Sequence, residues 1–294
     1  MLLAFESYLR LERRYSPHTC KSYLSDLEQL AAWLLATYEL PVLHDATRPM
    51  LRTWLAELHS VGSTPRTLKR KLSSLRAYLR WMRKYHGLQT DPTLGIQLPE
   101  TPKRLPVFVP ESHMQLLTEP HFFPKTIEGI RDRAMVELLY HTGMRSAELL
   151  GLKTIDVDLQ LQTLRVLGKR NKERIVPVGK AMAQLLQTYI DAKSALGSGQ
   201  IVNEFLFVTA KGQKMYPRLV YNVVNNYLSR VSSLQKKSPH VLRHTFATHM
   251  LNRGAELNAI KEILGHASLA ATQVYTHNDI EQLKQIHRKA HPKG

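Results

Sequence analysis

A single cysteine, Cys20, stands among 294 residues. One thiol excludes an internal disulfide framework and suits a reducing compartment. No stretch approaches the roughly 18 consecutive apolar residues of a membrane span. The opening MLLAFESYLRLERR carries charge too early and too often for a signal peptide. A cytoplasmic protein with no membrane partner is therefore expected. Nucleotide hydrolysis and serine acyl transfer lack support, because neither G-x-x-x-x-G-K-[ST] nor G-x-S-x-G occurs. Acidic residues are scarce as well: 24 Asp plus Glu face 41 Lys plus Arg, a formal net charge of +17. Solubility does not need so lopsided a balance, and an excess of this size points to a polyanionic partner, most often nucleic acid.

What is present divides into two domains and a connection. Residues 1–87 read as helices only. Ser16-Pro17 and Thr64-Pro65 each pair an N-cap hydroxyl with proline at the first helical position. Tyr23, Leu24, Leu27, Leu30 and Leu34 recur at helical spacing, Thr47 precedes a helix holding Trp54, Leu55 and Leu58, and Gly87 closes the segment. Four helices with short connections predict a bundle. Residues 88–110 contain five prolines and read as a linker. From 111 to 294 a helical domain with a small antiparallel sheet is expected. TLRVLGKRNKERIVPV supplies two strands around a basic turn, and EFLFVT a further short strand. The fold class is thus mainly α with a small antiparallel β-sheet in the C-terminal domain.

The helix over 66–86 carries eight Lys or Arg and no Asp or Glu. At 100° per residue, Leu68, Leu72, Leu75, Leu79 and Met82 share one face. Arg66, Lys69, Arg70, Arg76, Arg80, Arg83 and Lys84 share an adjoining one, and Lys71 falls outside it. A merely solvated face would tolerate both signs. This one has a single sign, which suits contact with DNA phosphates.

The stretch SPHVLRHTFATHM sets His240, Arg243, His244 and His249 on one helix. His240 and His244 have the spacing of H-E-x-x-H, but Val241 stands at the glutamate position and Arg243 would repel a cation, so no metal is expected. A phosphate clamp fits better. His240 and Arg243, three apart, share a helix face. Arg145 follows the helix-ending Gly143, with Glu148 three residues on to orient its guanidinium. Planar guanidinium forks match phosphate oxygens bidentately. Two forks and an imidazole can stabilise a charged phosphoryl transition state without metal.

The order Arg145 in TGMRSAEL, Lys169 in GKRNKERIVP, His240-x-x-Arg243 in HVLRHTFATHML, His266 in LGHASL and Tyr275 in TQVYTH resembles the tyrosine site-specific recombinases of the phage-integrase family, most closely their bacterial Xer-type branch. The resemblance spans nearly the whole chain and implies a two-domain clamp around duplex DNA. It implies that Tyr275 attacks a phosphodiester and leaves a 3′-phosphotyrosyl bond. Arg145, His240, Arg243 and His266 would surround the phosphate, and Lys169 would protonate the 5′-oxygen. Arg170 stands where the family's hairpin commonly has a second glycine, which keeps Lys172 as the alternative acid. The resemblance further implies no cofactor and a tetramer on the recombination site, with a second related recombinase or further copies of the chain. It extends to a cell-division DNA translocase as partner and to dimer resolution as the setting. It also implies that a terminal helix over 279–290 docks on a neighbouring protomer. The alternatives are a mobile-element integrase of the same family, a type IB topoisomerase, and a DNA-binding protein without catalysis.

The residue chemistry agrees with these implied roles. A phenol with a pKa of about 10 is a poor nucleophile until cations favour its phenolate. An alkoxide leaving group needs a proton, which an ammonium can supply. A covalent phosphoester conserves the energy of the bond broken, which fits the missing nucleotide-binding motif.

Overall fold

The computed structural model describes residues 1–100, 107–168, 172–195, 204–265 and 277–292, with side chains from 283 onward in the last stretch. The chain divides into two compact units, Met1–Arg104 and Leu105–Gly294.

The first unit is helical: α1 (Leu2–Ser7), which runs into a wider turn over Tyr8–Glu12, then α2 (Pro17–Tyr38), α3 (Arg48–Ser60) and α4 (Pro65–Tyr85). The caps act locally. Ser16 Oγ accepts from the Thr19 amide at 3.2 Å, and Thr64 Oγ1 from the Thr67 amide at 3.3 Å. All five residues of the expected apolar face of α4, Leu68, Leu72, Leu75, Leu79 and Met82, are buried. At about 2 kcal/mol for each fully buried leucine, this face holds the helix far more firmly than exposed ion pairs could. Phe5 meets Tyr78 edge-on at 5.4 Å and lies 5.5 Å from Trp81, which seats α1 on α4.

A buried carboxylate also ties α2 to α4. Asp26 accepts from Arg70, from Lys71 Nζ at 3.1 Å and from Ser74 Oγ at 2.8 Å. Within the expected linker, Leu88, Ile96 and Leu98 pack on the first core, and Val109 is buried in the second. The proline-rich composition therefore overstates the length of unpacked chain.

The second unit contains α5 (Glu111–Leu117), α6 (Ile127–Thr142), α7 (Ser146–Gly151), β1 (Val157–Asp158), β2 (Thr163–Leu167), β3 (Glu173–Pro177), α8 (Gly179–Ser194), α9 (Pro217–Val231), α10 (Pro239–Asn252), α11 (Leu257–Leu264) and α12 (His277–Ala290). The sheet is antiparallel in the order β1-β2-β3, with Leu164 opposite Val176 and Val166 opposite Arg174. Leu164 and Val166 face the core, while Arg165 and Leu167 face out.

EFLFVT, expected as a strand, forms only two isolated bridges, Phe205 with Lys153 and Val208 with Lys214. Its backbone pairs only briefly with residues 152–154, Thr154 N donating to Glu204 O at 2.9 Å and Leu206 N to Leu152 O at 2.8 Å, while the Lys193 ammonium donates to Phe205 O and, at 3.4 Å, to Leu206 O. In this chain α12 lies on its own domain, with Leu283, His287, Ala290 and His291 buried. His287 Nε2 donates to His141 O at 2.8 Å, and the His287 and His291 rings stack at 4.8 Å. Carbonyls at the α6 C-terminus, which lack helical partners, thus gain donors from α12.

Candidate active site

Three helix ends build the site. The first is the C-terminus of α6, where Gly143 adopts φ +57°. A Cβ there would come within 2.5 Å of Phe246 and 2.6 Å of Leu264, so only glycine fits the turn. Two residues on, Arg145 caps α7 from an extended backbone, its amide donating to Glu148 Oε2 and its Nη1 to Glu148 Oε1, both at 2.8 Å. The second is the first two turns of α10, which carry His240 and Arg243. The third is the C-terminus of α11, where Gly265 turns the chain at φ +64°.

Arg243 binds these ends together. It is buried, and it donates Nη1 to Gly143 O at 2.7 Å and Nη2 to Leu264 O at 2.9 Å. Burial, then the charge of Arg145, pushes its pKa down to about 10, so it stays cationic at neutral pH. His240 is exposed. Partial burial first, then His244, Arg243 and Arg145, hold it below the ordinary imidazole value, and it is neutral at pH 7. The mutual influence of Arg145, His240 and Arg243 places the three in one electrostatic neighbourhood. Their summed field favours an anion.

Lys169, His266 and Tyr275 lie outside the described residues. The residues just before Lys169 and His266 belong to the same frame. The Gly168 amide donates to Lys172 O at 2.7 Å and closes the β2–β3 hairpin, and Gly265 precedes position 266. His244 is exposed, whereas His249 is buried and its Nδ1 meets the Tyr140 hydroxyl at 2.8 Å, a packing role. Among the described residues no group of three or more His, Cys, Asp or Glu could hold a metal ion.

Sequence reasoning missed Arg174. Its guanidinium is buried and paired in two bonds with Glu148, Nη1 to Oε1 at 3.1 Å and Nη2 to Oε2 at 2.8 Å, while Nε donates to Ile263 O at 2.9 Å. Burial alone would raise the Glu148 pKa. Hydrogen bonds and charge from Arg174, then the bonds from Arg145, outweigh it and lower the pKa. One signal was available: strand alternation puts Arg174 on the inward face with Val176, and an inward arginine demands a partner.

On α4 the cationic face divides. Arg66, Lys69, Arg80 and Arg83 are exposed. Arg80, Arg83 and Lys84 line, with Leu88 and Gln89, an open pocket of about 360 Å³. Arg70 is bound to Asp26, and Arg76 to Thr93, Nε to Oγ1 at 3.3 Å and Nη2 to O at 3.4 Å. Both arginines spend donors inside the fold, Arg76 half-buried and Arg70 still exposed. A helical projection cannot reveal that Asp26 and Thr93 stand across from them.

Comparison with known proteins agrees with this frame. Residues 111–282 match the phage integrase family, and residues 2–86 the phage integrase N-terminal SAM-like domain. The tyrosine recombinase XerC of Pelotomaculum thermopropionicum is 36% identical over 300 residues, covering 99% of this chain and 97% of the relative. The XerC of Pelobacter propionicus (strain DSM 2379 / NBRC 103807 / OttBd1) is 38% identical over 294 residues, covering 99% and 95%. Among solved structures, the XerH site-specific recombinase in its post-cleavage complex with a palindromic difH substrate shares the fold. It superposes with a TM-score of 0.72 at 22% identity, covering 97% of this chain and 83% of that one. The Tn1549 transposon integrase with circular intermediate DNA gives 0.69 at 18% identity, covering 96% and 98%.

Fold and relatives together define a tyrosine recombinase, an enzyme that cleaves and rejoins DNA. The chain belongs to the phage integrase family.

Proposed function

We propose that the chain recombines duplex DNA at a specific site, with Tyr275 as the nucleophile and Arg145, Lys169, His240, Arg243 and His266 acting on the scissile phosphate. The observation that supports this reading is the binding of Arg243 to Gly143 O, two residues before Arg145, and to Leu264 O, two residues before position 266. The Tyr275 phenolate attacks phosphorus. A P–O bond forms to tyrosine as the bond to the 5′-oxygen breaks, and Lys169 gives that oxygen its proton. Arg145 and Arg243 offset the charge that develops on the non-bridging oxygens, and neutral His240 donates a hydrogen bond. In the reverse direction a 5′-hydroxyl attacks the phosphotyrosine, so strand joining needs no external energy.

The biological reading we favour is resolution of chromosome or plasmid dimers at cell division. In it a tetramer on the recombination site combines this chain with a second related recombinase, or with further copies of itself, under a cell-division DNA translocase. Full-length relatives named XerC support it. On a nicked suicide substrate the parental protein should form a covalent complex that survives SDS and yields to protease, while Tyr275→Phe binds the same DNA and forms none. A Phe variant that still traps DNA overturns the assignment.

A further inference from the structure

Each of the three segments that deliver the proposed site residues touches one further side chain. Arg174 leaves β3 on its inward face and is 5% exposed. Through Glu148 it reaches Arg145, since Glu148 Oε1 accepts from both Arg174 Nη1, at 3.1 Å, and Arg145 Nη1, at 2.8 Å. Its Nε donates to Ile263 O at the α11 C-terminus, one residue before the Leu264 carbonyl that Arg243 holds. It also underlies both flanking glycines. A Cβ built on Gly168 would lie 3.5 Å from Arg174 Nη1 and 3.7 Å from Glu148 Oε1, and one on Gly265 only 3.0 Å from Arg174 Nη1.

We infer that Arg174 is a positioning residue for strand cleavage: it aims the Arg145 fork through Glu148 and fixes the base of the hairpin leading to Lys169 and the end of the helix leading to position 266. The inference rests on the site reading above. Charge alone would not need this residue. A guanidinium so enclosed carries a desolvation cost, and a buried pair is often no more stable than apolar packing of the same volume. What the fork gives is direction. Three donors in one plane meet both carboxylate oxygens and a backbone carbonyl together, which an ammonium cannot do. Because Glu148 is shared, a shift of Arg174 moves Arg145 too. Misplacement by about 1 Å is enough to cost about 10²-fold in rate.

The test uses the full chain and a nicked suicide substrate at saturating DNA, well below each variant's own melting temperature so that lost stability does not enter the rate. Arg174→Lys should slow covalent complex formation by about 10²-fold while DNA affinity changes little. Its effect should not multiply with that of Arg145→Lys, because both act through one guanidinium. Glu148→Gln, which keeps oxygen and shape but drops the charge, should give the same rate loss and the same non-additivity, and it carries the test where Arg174→Lys does not fold. Parental cleavage rates in these variants, or effects fully multiplicative with Arg145→Lys, overturn the inference. If Arg145→Ala itself cleaves at the parental rate, the site reading has failed instead.

Discussion

Arg243 Nη1 lies 2.7 Å from the carbonyl oxygen of Gly143, a bond between residues one hundred apart in sequence. It turns the last peptide of α6 toward the guanidinium and leaves the next two residues to present Arg145. Gly143→Ala tests how tightly that turn is set. The left-handed backbone costs a residue with a Cβ about 1–2 kcal/mol, and the collision with Phe246 and Leu264 adds about 1–3 kcal/mol. All three tryptophans, Trp33, Trp54 and Trp81, lie in the first unit. The expected result is a lower melting temperature by far-ultraviolet circular dichroism of the catalytic unit, with the tryptophan fluorescence transition unmoved. Coincident, unshifted transitions would show that the turn has room.

The acid is separable from the clamp. Lys169→Ala should slow cleavage of ordinary DNA by about 10²-fold or more, as loss of a general acid does. A 5′-bridging phosphorothiolate leaves without a proton, so that substrate should restore the rate. Rescue of Lys172→Ala but not of Lys169→Ala would exchange their roles.

DNA grip by the first unit is best probed at arginines the fold does not use. Arg80 and Arg83 are exposed and line the open pocket, whereas Arg70 and Arg76 are bonded internally. Replacing Arg80 and Arg83 by Gln should weaken duplex binding and flatten log K against log salt by roughly two units, since two fewer counterions are released. Cleavage at saturating DNA should stay near the parental rate. An unchanged slope would make this face merely solvated.

Docking of α12 should depend on pH. Burial holds His287 below the ordinary imidazole pKa and His291 well below it. The hydrogen bonds to His141 O and Tyr140 O act in the opposite direction and do not prevail. Undocked, these imidazoles bind protons near pH 6.5; docked, only at lower pH. The docked state therefore keeps its stability above about pH 6.5 and loses it progressively as pH falls below that value. Hydrogen exchange of amides 283–291, corrected for its intrinsic pH dependence, should show protection falling between neutral and mildly acidic pH. In His291→Leu the fall should be smaller. Protection independent of pH would contradict the account.

The legible parts of this fold were local in cause. Ser16-Pro17, Thr64-Pro65 and Gly143 act within one turn, so a short window of sequence reveals them. Leucine spacing likewise revealed the buried face of α4. What was hidden depends on partners distant in sequence. The bond from Arg174 to Glu148 spans 26 residues, that from Arg70 to Asp26 spans 44, and periodicity carries no information about either. EFLFVT read as a strand because its composition suits one, but its pairing with Lys153 stops after a single bridge, and how far a neighbour runs alongside is not written in the segment itself. The order Arg145, His240, Arg243 was legible from chemistry and resemblance, and the structure adds the backbone carbonyls that orient Arg243.

The seat of α12 on its own domain sets a threshold for any exchange between copies. A helix tethered to its own domain meets its groove at an effective concentration that reaches the order of millimolar. A second copy arriving from dilute solution competes at its bulk concentration and loses. Copies aligned side by side on one duplex present their helices at a concentration comparable with the tether's own, and there the competition becomes even. Helix exchange from one chain to the next, which the family resemblance implies, should on this reckoning be confined to the DNA. Away from it a chain that fills its own groove leaves no vacant end from which a head-to-tail contact could propagate into an open filament.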